Sequence, residues 1–149
     1  MMTNFQRTRE WLKAYGKTHC VGDLSVAIGV HLEEISEFLR TISTDKDGYA
    51  KMLSQVIENL EWFAGRLKSG QSIAYIEPSK RVDALDALCD CEVAGNGVAF
   101  LAGFDKDEAD QRVLSSNEKK LVDGKPIIEP GGKIGKPAGW IPPKLDDLV

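Results

Sequence analysis

The chain has 149 residues, 42% apolar and 28% charged, with a formal net charge of −4. That balance fits one soluble globular domain with its own core, and the acidic surplus argues against a general nucleic-acid binder, which carries a basic one. No apolar run approaches the ~20 residues of a membrane span, and the start MMTNFQRTREW has no apolar segment behind its charges, so a cytoplasmic protein away from membranes is expected.

In chain order, residues 3–15 read as a first helix closed by Gly16. After a loop through His19 and Gly22, a second helix is expected over 23–42, where Leu24, Ile28, Leu32, Ile35, Leu39 and Ile42 recur at helical spacing. The stretch STDKDG breaks it. A third helix is expected over 49–68, with Leu53, Val56, Leu60, Phe63 and Leu67 on one stripe and Gly70 beyond its end. Pro78-Ser79 opens a fourth, over 80–101, which stops at Gly103. Asp105 with Glu108 resembles a capping box for a short fifth helix reaching about Leu114.

From Asn117 onward the composition changes. Five of the six prolines lie there, with no sustained apolar period. Ile127, Ile128, Trp140 and Ile141 argue against disorder, so the tail reads as an irregular Gly/Pro/Lys-rich segment lying on the helices. The expected fold is all-α: a four- to five-helix bundle with this coil tail, one domain over 1–149. Cys20, Cys89 and Cys91 form no paired framework and no zinc pattern, which leaves reduced thiols as the simplest reading.

The chemistry lies in the carboxylates. The second helix carries Glu33-Glu34-x-x-Glu37, and a helical step of about 100° puts Glu34 and Glu37 about 60° apart on one face. The fourth carries Asp83, Asp86 and Asp90, again on one face. Solvated faces are the ordinary fate of acidic runs. Against that stand Val82, Leu85, Leu88, Val93 and Val98 on the same fourth helix, because charge buried among apolar residues must be paired or metal-bound. Like charges so spaced repel, and a cation between the helices reverses the sign. Mg²⁺ suits oxygen donors and substrate phosphates, with Mn²⁺ as a substitute. A di-iron bundle would need ExxH pairs that this chain lacks.

With these residues the chain resembles the all-α NTP pyrophosphohydrolase superfamily, which includes MazG-like enzymes, dimeric dUTPases and phosphoribosyl-ATP pyrophosphohydrolases. The family pattern is EExxE on one helix and ExxD on a later one. Glu33, Glu34 and Glu37 match the first element. In the second, Asp90 matches the aspartate while Ala87 stands at the glutamate position, with Asp86 one residue further back. Asp83 with Asp86 offers a second register. The segment SNEKK, followed by DGKPI and GGKIGKPAGW, is similar to the phage and bacterial MazG-like branch, as is the opening REWLKAYG. In that branch an Asn and a Lys after the last helix face the nucleotide, which implies such roles for Asn117 and Lys120 and a tail over 117–149 that completes the site.

The resemblance implies a Mg²⁺-dependent hydrolase that splits a nucleoside triphosphate into a monophosphate and pyrophosphate. Glu34, Glu37, Asp86 and Asp90 would hold the metal, and Glu33 would position or deprotonate the water. Lys133 and Lys136 are further candidates for phosphate contacts by residue type, the former among glycines that let backbone N–H groups approach, against the ordinary reading of lysines in a Gly-rich surface loop. Asn96, in GNG, is a candidate either for contact with base or ribose or for the cap of a helix irregularity. Family sites are commonly closed by subunit pairing, so a homodimer or homotetramer is expected, with the stripes beside Trp62 and Phe63 as its surface. The rival readings are a non-catalytic helical interaction module, with Trp11, Trp62 and Trp140 as anchors, and a phosphoribosyl-ATP pyrophosphohydrolase.

Overall fold

A computed structural model describes residues 2–127 and 134–149. The protein is all-α, with five helices and one two-stranded hairpin among those residues. It divides into two compact units, Thr18–Pro78 and Met1–Lys17 with Ser79–Val149.

The first of these units is a helical hairpin of α2 (Val21–Arg40) and α3 (Asp47–Lys68). α2 begins two residues before the expected Asp23. Cys20 takes the cap, its sulfur accepting from the Asp23 N–H at 3.4 Å, while the Asp23 carboxylate turns back to the Thr18 N–H at 2.9 Å. It stops at Arg40, where the Thr41 hydroxyl donates to the Phe38 carbonyl at 2.7 Å and competes with a further helical turn. The two helices meet along small residues. Ser25, Gly29 and Ser36 of α2 are buried, facing Ile57, Ala64 and Leu67 of α3. A methyl group on Gly29 would come within 3.0 Å of the Ala64 carbonyl oxygen, so the helices approach this closely only because a glycine sits there. Leu67 is 1% exposed, a burial that stabilises by about 1.5–3 kcal/mol. Beyond α3 the chain returns over α2, where the Ala74 N–H donates to the Ser25 hydroxyl at 3.0 Å.

The second unit contains α1 (Asn4–Ala14), α4 (Arg81–Ala102) and α5 (Lys106–Glu118), with the hairpin strands β1 (Leu121–Val122) and β2 (Lys125–Pro126). α1 opens on a reciprocal cap that the sequence reading passed over. The Thr3 hydroxyl accepts from the Gln6 N–H, and the Gln6 side chain accepts from the Thr3 N–H. α4 follows a 3₁₀ turn at Pro78–Lys80 and ends at Gly103, which adopts φ 81°. α5 runs past the expected Leu114 to Glu118, so Asn117 belongs to its last turn rather than to the coil. The hairpin was not expected either, although Asp123-Gly124 supplies its signal. Both residues have positive φ, as the tightest two-residue turn requires.

α1 and α5 are joined through Arg7. Its guanidinium donates twice to Glu118, at 2.8 Å each, once to Ser115 at 3.1 Å and once to Gln111. After the hairpin the tail straps back along α5. The Trp140 indole N–H donates to the Ser116 carbonyl at 2.9 Å, the Arg112 guanidinium donates to Asp147 at 2.7 Å, and the Asp105 N–H donates to the Leu148 carbonyl at 2.9 Å.

α4 differs from its neighbours. Only Ala99 on it is buried, and its large apolar side chains stand open, from Val82 at 81% exposed to Leu101 at 84%. Among the described residues no single helix is long and apolar enough to cross a membrane.

Candidate functional site

The acidic motif of α2 is oriented by the buried face of that helix. Ser36 is fully buried, and its hydroxyl donates to the Glu33 carbonyl at 2.7 Å. Glu33 lies one turn back on the same side, where its carboxylate is ion-paired with Lys68 of α3. Glu37 is about 100° and Glu34 about 200° around the helix from Ser36, so both turn away from α3, and both are exposed. Glu61 of α3 stands near Ser36 but belongs to Arg40, which grips it with contacts of 2.6–2.9 Å.

On α4, Asp83, Asp86 and Asp90 are exposed. The apolar neighbours that argued for their burial are exposed too, so burial does not force a counter-charge on them. Asp83 accepts from Lys80 at 3.2 Å, as expected for a helix-start ion pair. Asn96 also lies on α4, in an unbroken helix, about 120° around from Asp90 and so on a different face.

Oxygen donors three or four residues apart on a helix have the chemistry of a Mg²⁺ site. Among the described residues, however, no three His, Cys, Asp or Glu side chains are grouped to hold a metal ion.

The tail residues do come together. At the end of α5 the Lys120 ammonium donates to the Asn117 side-chain oxygen at 2.9 Å and lies 5.2 Å from the Trp140 ring centre. The Lys136 ammonium lies 4.6 Å from the same ring centre. Two of the residues expected to contact substrate, Lys120 and Lys136, thus share one indole, and a third, Asn117, is hydrogen-bonded to Lys120. Lys133 lies outside the described residues.

A groove of about 570 Å³ runs beside this cluster, between α1 and α5, lined by Arg7, Glu10, Trp11, Gln111, Glu118 and Leu121. A small recess next to it adds Asn117. Trp11 meets Tyr15 edge to face at 4.8 Å. Burial pushes the Tyr15 phenol up, and the nearby Trp11 partly offsets it. The hydrogen bonds from Arg7 hold the Glu118 carboxyl below its usual range and Glu118 holds Arg7 above its own. Sequence reasoning missed this groove, because it gave REW to an opening helix and Trp11 only to a surface anchor of the rival reading. A tryptophan and an arginine one turn apart were its signal. Comparison with family models, with curated proteins and with solved structures returned no match.

Proposed function

We propose that the chain is a Mg²⁺-dependent nucleoside triphosphate pyrophosphohydrolase, giving a nucleoside monophosphate and pyrophosphate in cytoplasmic nucleotide-pool housekeeping. The observation that carries the reading is the gathering of Asn117, Lys120 and Lys136 at the end of α5. Two ammonium groups beside one ring, one of them hydrogen-bonded to an amide oxygen, suit the charge and hydrogen-bonding needs of a polyphosphate. In the resemblance on which this reading rests, Glu34, Glu37, Asp86 and Asp90 are the oxygen donors for Mg²⁺. Mg²⁺, when bound, supplies charge neutralisation at the phosphates. Glu33 orients or deprotonates the attacking water. Lys133, Lys136 and Lys120 contact phosphate oxygens, and Asn96 and Asn117 contact base or sugar. The open apolar side chains of α4 support a homodimer or homotetramer, since faces of that kind are usually covered by a partner.

A panel of ribo- and deoxyribonucleoside triphosphates with Mg²⁺ or Mn²⁺, read by pyrophosphate release, tests the proposal. Release that needs the metal supports it. No release from any member of the panel sinks it. The open faces also favour a second reading, a non-catalytic helical module, which predicts no metal-dependent turnover.

A further inference from the structure

We infer that Trp140 is a positioning residue that turns Lys120 and Lys136 into a preformed clamp for a di- or triphosphate group. The inference rests on the pyrophosphohydrolase reading for its substrate, while its geometry stands independently. The local sequence KPAGW builds the clamp. The Trp140 N–H donates to the Pro137 carbonyl at 3.0 Å, closing a tight turn. Its third residue, Gly139, has φ 80°, a conformation that glycine adopts without strain. That reversal folds Lys136 back over the ring of Trp140.

The indole is itself fixed. Its N–H donates to the Ser116 carbonyl at 2.9 Å, and the Ser116 hydroxyl donates to the Ile141 carbonyl at 3.3 Å. Ser116 is buried, so the ring is pinned to a packed position near the end of α5. Lys120 arrives from the turn just after that helix and Lys136 from the tail, with ammonium groups 5.2 and 4.6 Å from the ring centre. Two like charges would otherwise separate. The negative face of the indole offsets part of their repulsion. Free lysine side chains lose conformational freedom when they bind phosphate, and side chains already ordered on a ring lose less. Asn117 adds a polar edge, since its side-chain oxygen accepts from Lys120.

The test uses the full chain and inorganic tripolyphosphate without metal, titrated by calorimetry into wild type, Trp140→Phe, Trp140→Leu and Lys136→Gln. Trp140→Leu and Lys136→Gln are expected to weaken binding on the order of tenfold, while Trp140→Phe, which keeps an aromatic face, stays within about threefold. In steady-state assays KM for the nucleotide should rise in Trp140→Leu with kcat little changed. Wild-type-like binding by Trp140→Leu overturns the clamp. So does equal loss in the Phe and Leu variants with a matching fall in thermal midpoint, because that marks a merely structural tryptophan. Failure of wild type to bind tripolyphosphate overturns it as well. If wild type binds tripolyphosphate with the expected ranking but releases no pyrophosphate from any nucleotide, the clamp stands and the hydrolase reading falls. If pyrophosphate is released while Trp140→Leu binds normally, the clamp falls and the hydrolase reading stands.

Discussion

Glu33 of α2 and Lys68 at the end of α3 form an ion pair whose side chains are 39% and 34% exposed. A pair so open to water contributes about 0–1 kcal/mol. Lys68→Gln should therefore shift the urea unfolding free energy by less than about 1 kcal/mol. If Glu33 positions the attacking water, Glu33→Gln should lower kcat by about 100-fold or more while leaving the fold intact. A variant that unfolds more easily but turns over normally would make Glu33 a structural residue.

Gly29 sets the spacing of α2 on α3. An added methyl would meet the Ala64 carbonyl oxygen at 3.0 Å and the Leu67 Cβ at 3.1 Å, and backbone cannot swing aside as a long side chain can. Gly29→Ala should destabilise the protein by about 1–3 kcal/mol despite the better helix propensity of alanine. Denaturant unfolding measures this, and a stabilised variant would contradict the close approach.

The Arg7–Glu118 pair makes stability depend on pH. Hydrogen bonds from Arg7 lower the Glu118 carboxyl below its ordinary value of 4.5. A depressed carboxyl contributes stability that is fully present above the unfolded value and is lost as pH falls through the folded one. The thermal midpoint should thus fall as pH drops below about 4.5, and Glu118→Gln should flatten that fall. An unchanged slope in the variant would mean that the pair does not couple to folding.

The helices were legible because their apolar periodicity and terminal glycines are local signals. Gly16 and Gly103 end α1 and α4 as read from the sequence. The boundary of α5 was not, because Ser115, Ser116 and Asn117 have weak helix propensity and are held by tertiary contacts. Ser115 bonds Arg7, and Ser116 anchors Trp140. The lysine cluster was half legible. Lysines in a Gly-rich tail suggest phosphate contacts, but the ring that gathers them depends on a turn and on a fold-back over α5. The openness of α4 was hidden, since its apolar residues surround the helix and sequence alone does not say what covers them.

Asp90 tests the register of the acids. Asp90→Asn removes a charge at nearly constant shape, and a hard cation prefers carboxylate to amide. Asp90→Asn and Glu37→Gln should each abolish most activity, while Asp83→Asn, where the acid pairs with Lys80, should do little. Pyrophosphate release and Mg²⁺ titration of the three variants check the ranking. Loss in Asp83→Asn with full activity in Asp90→Asn would establish the other register.

The central claim is water attack at the α-phosphorus of a nucleoside triphosphate. Turnover with Mg²⁺ in ¹⁸O-labelled water, followed by mass analysis of the products, tests it directly. The account predicts label in the nucleoside monophosphate and unlabelled pyrophosphate. Labelled orthophosphate with a nucleoside diphosphate, or label in the pyrophosphate, would contradict it.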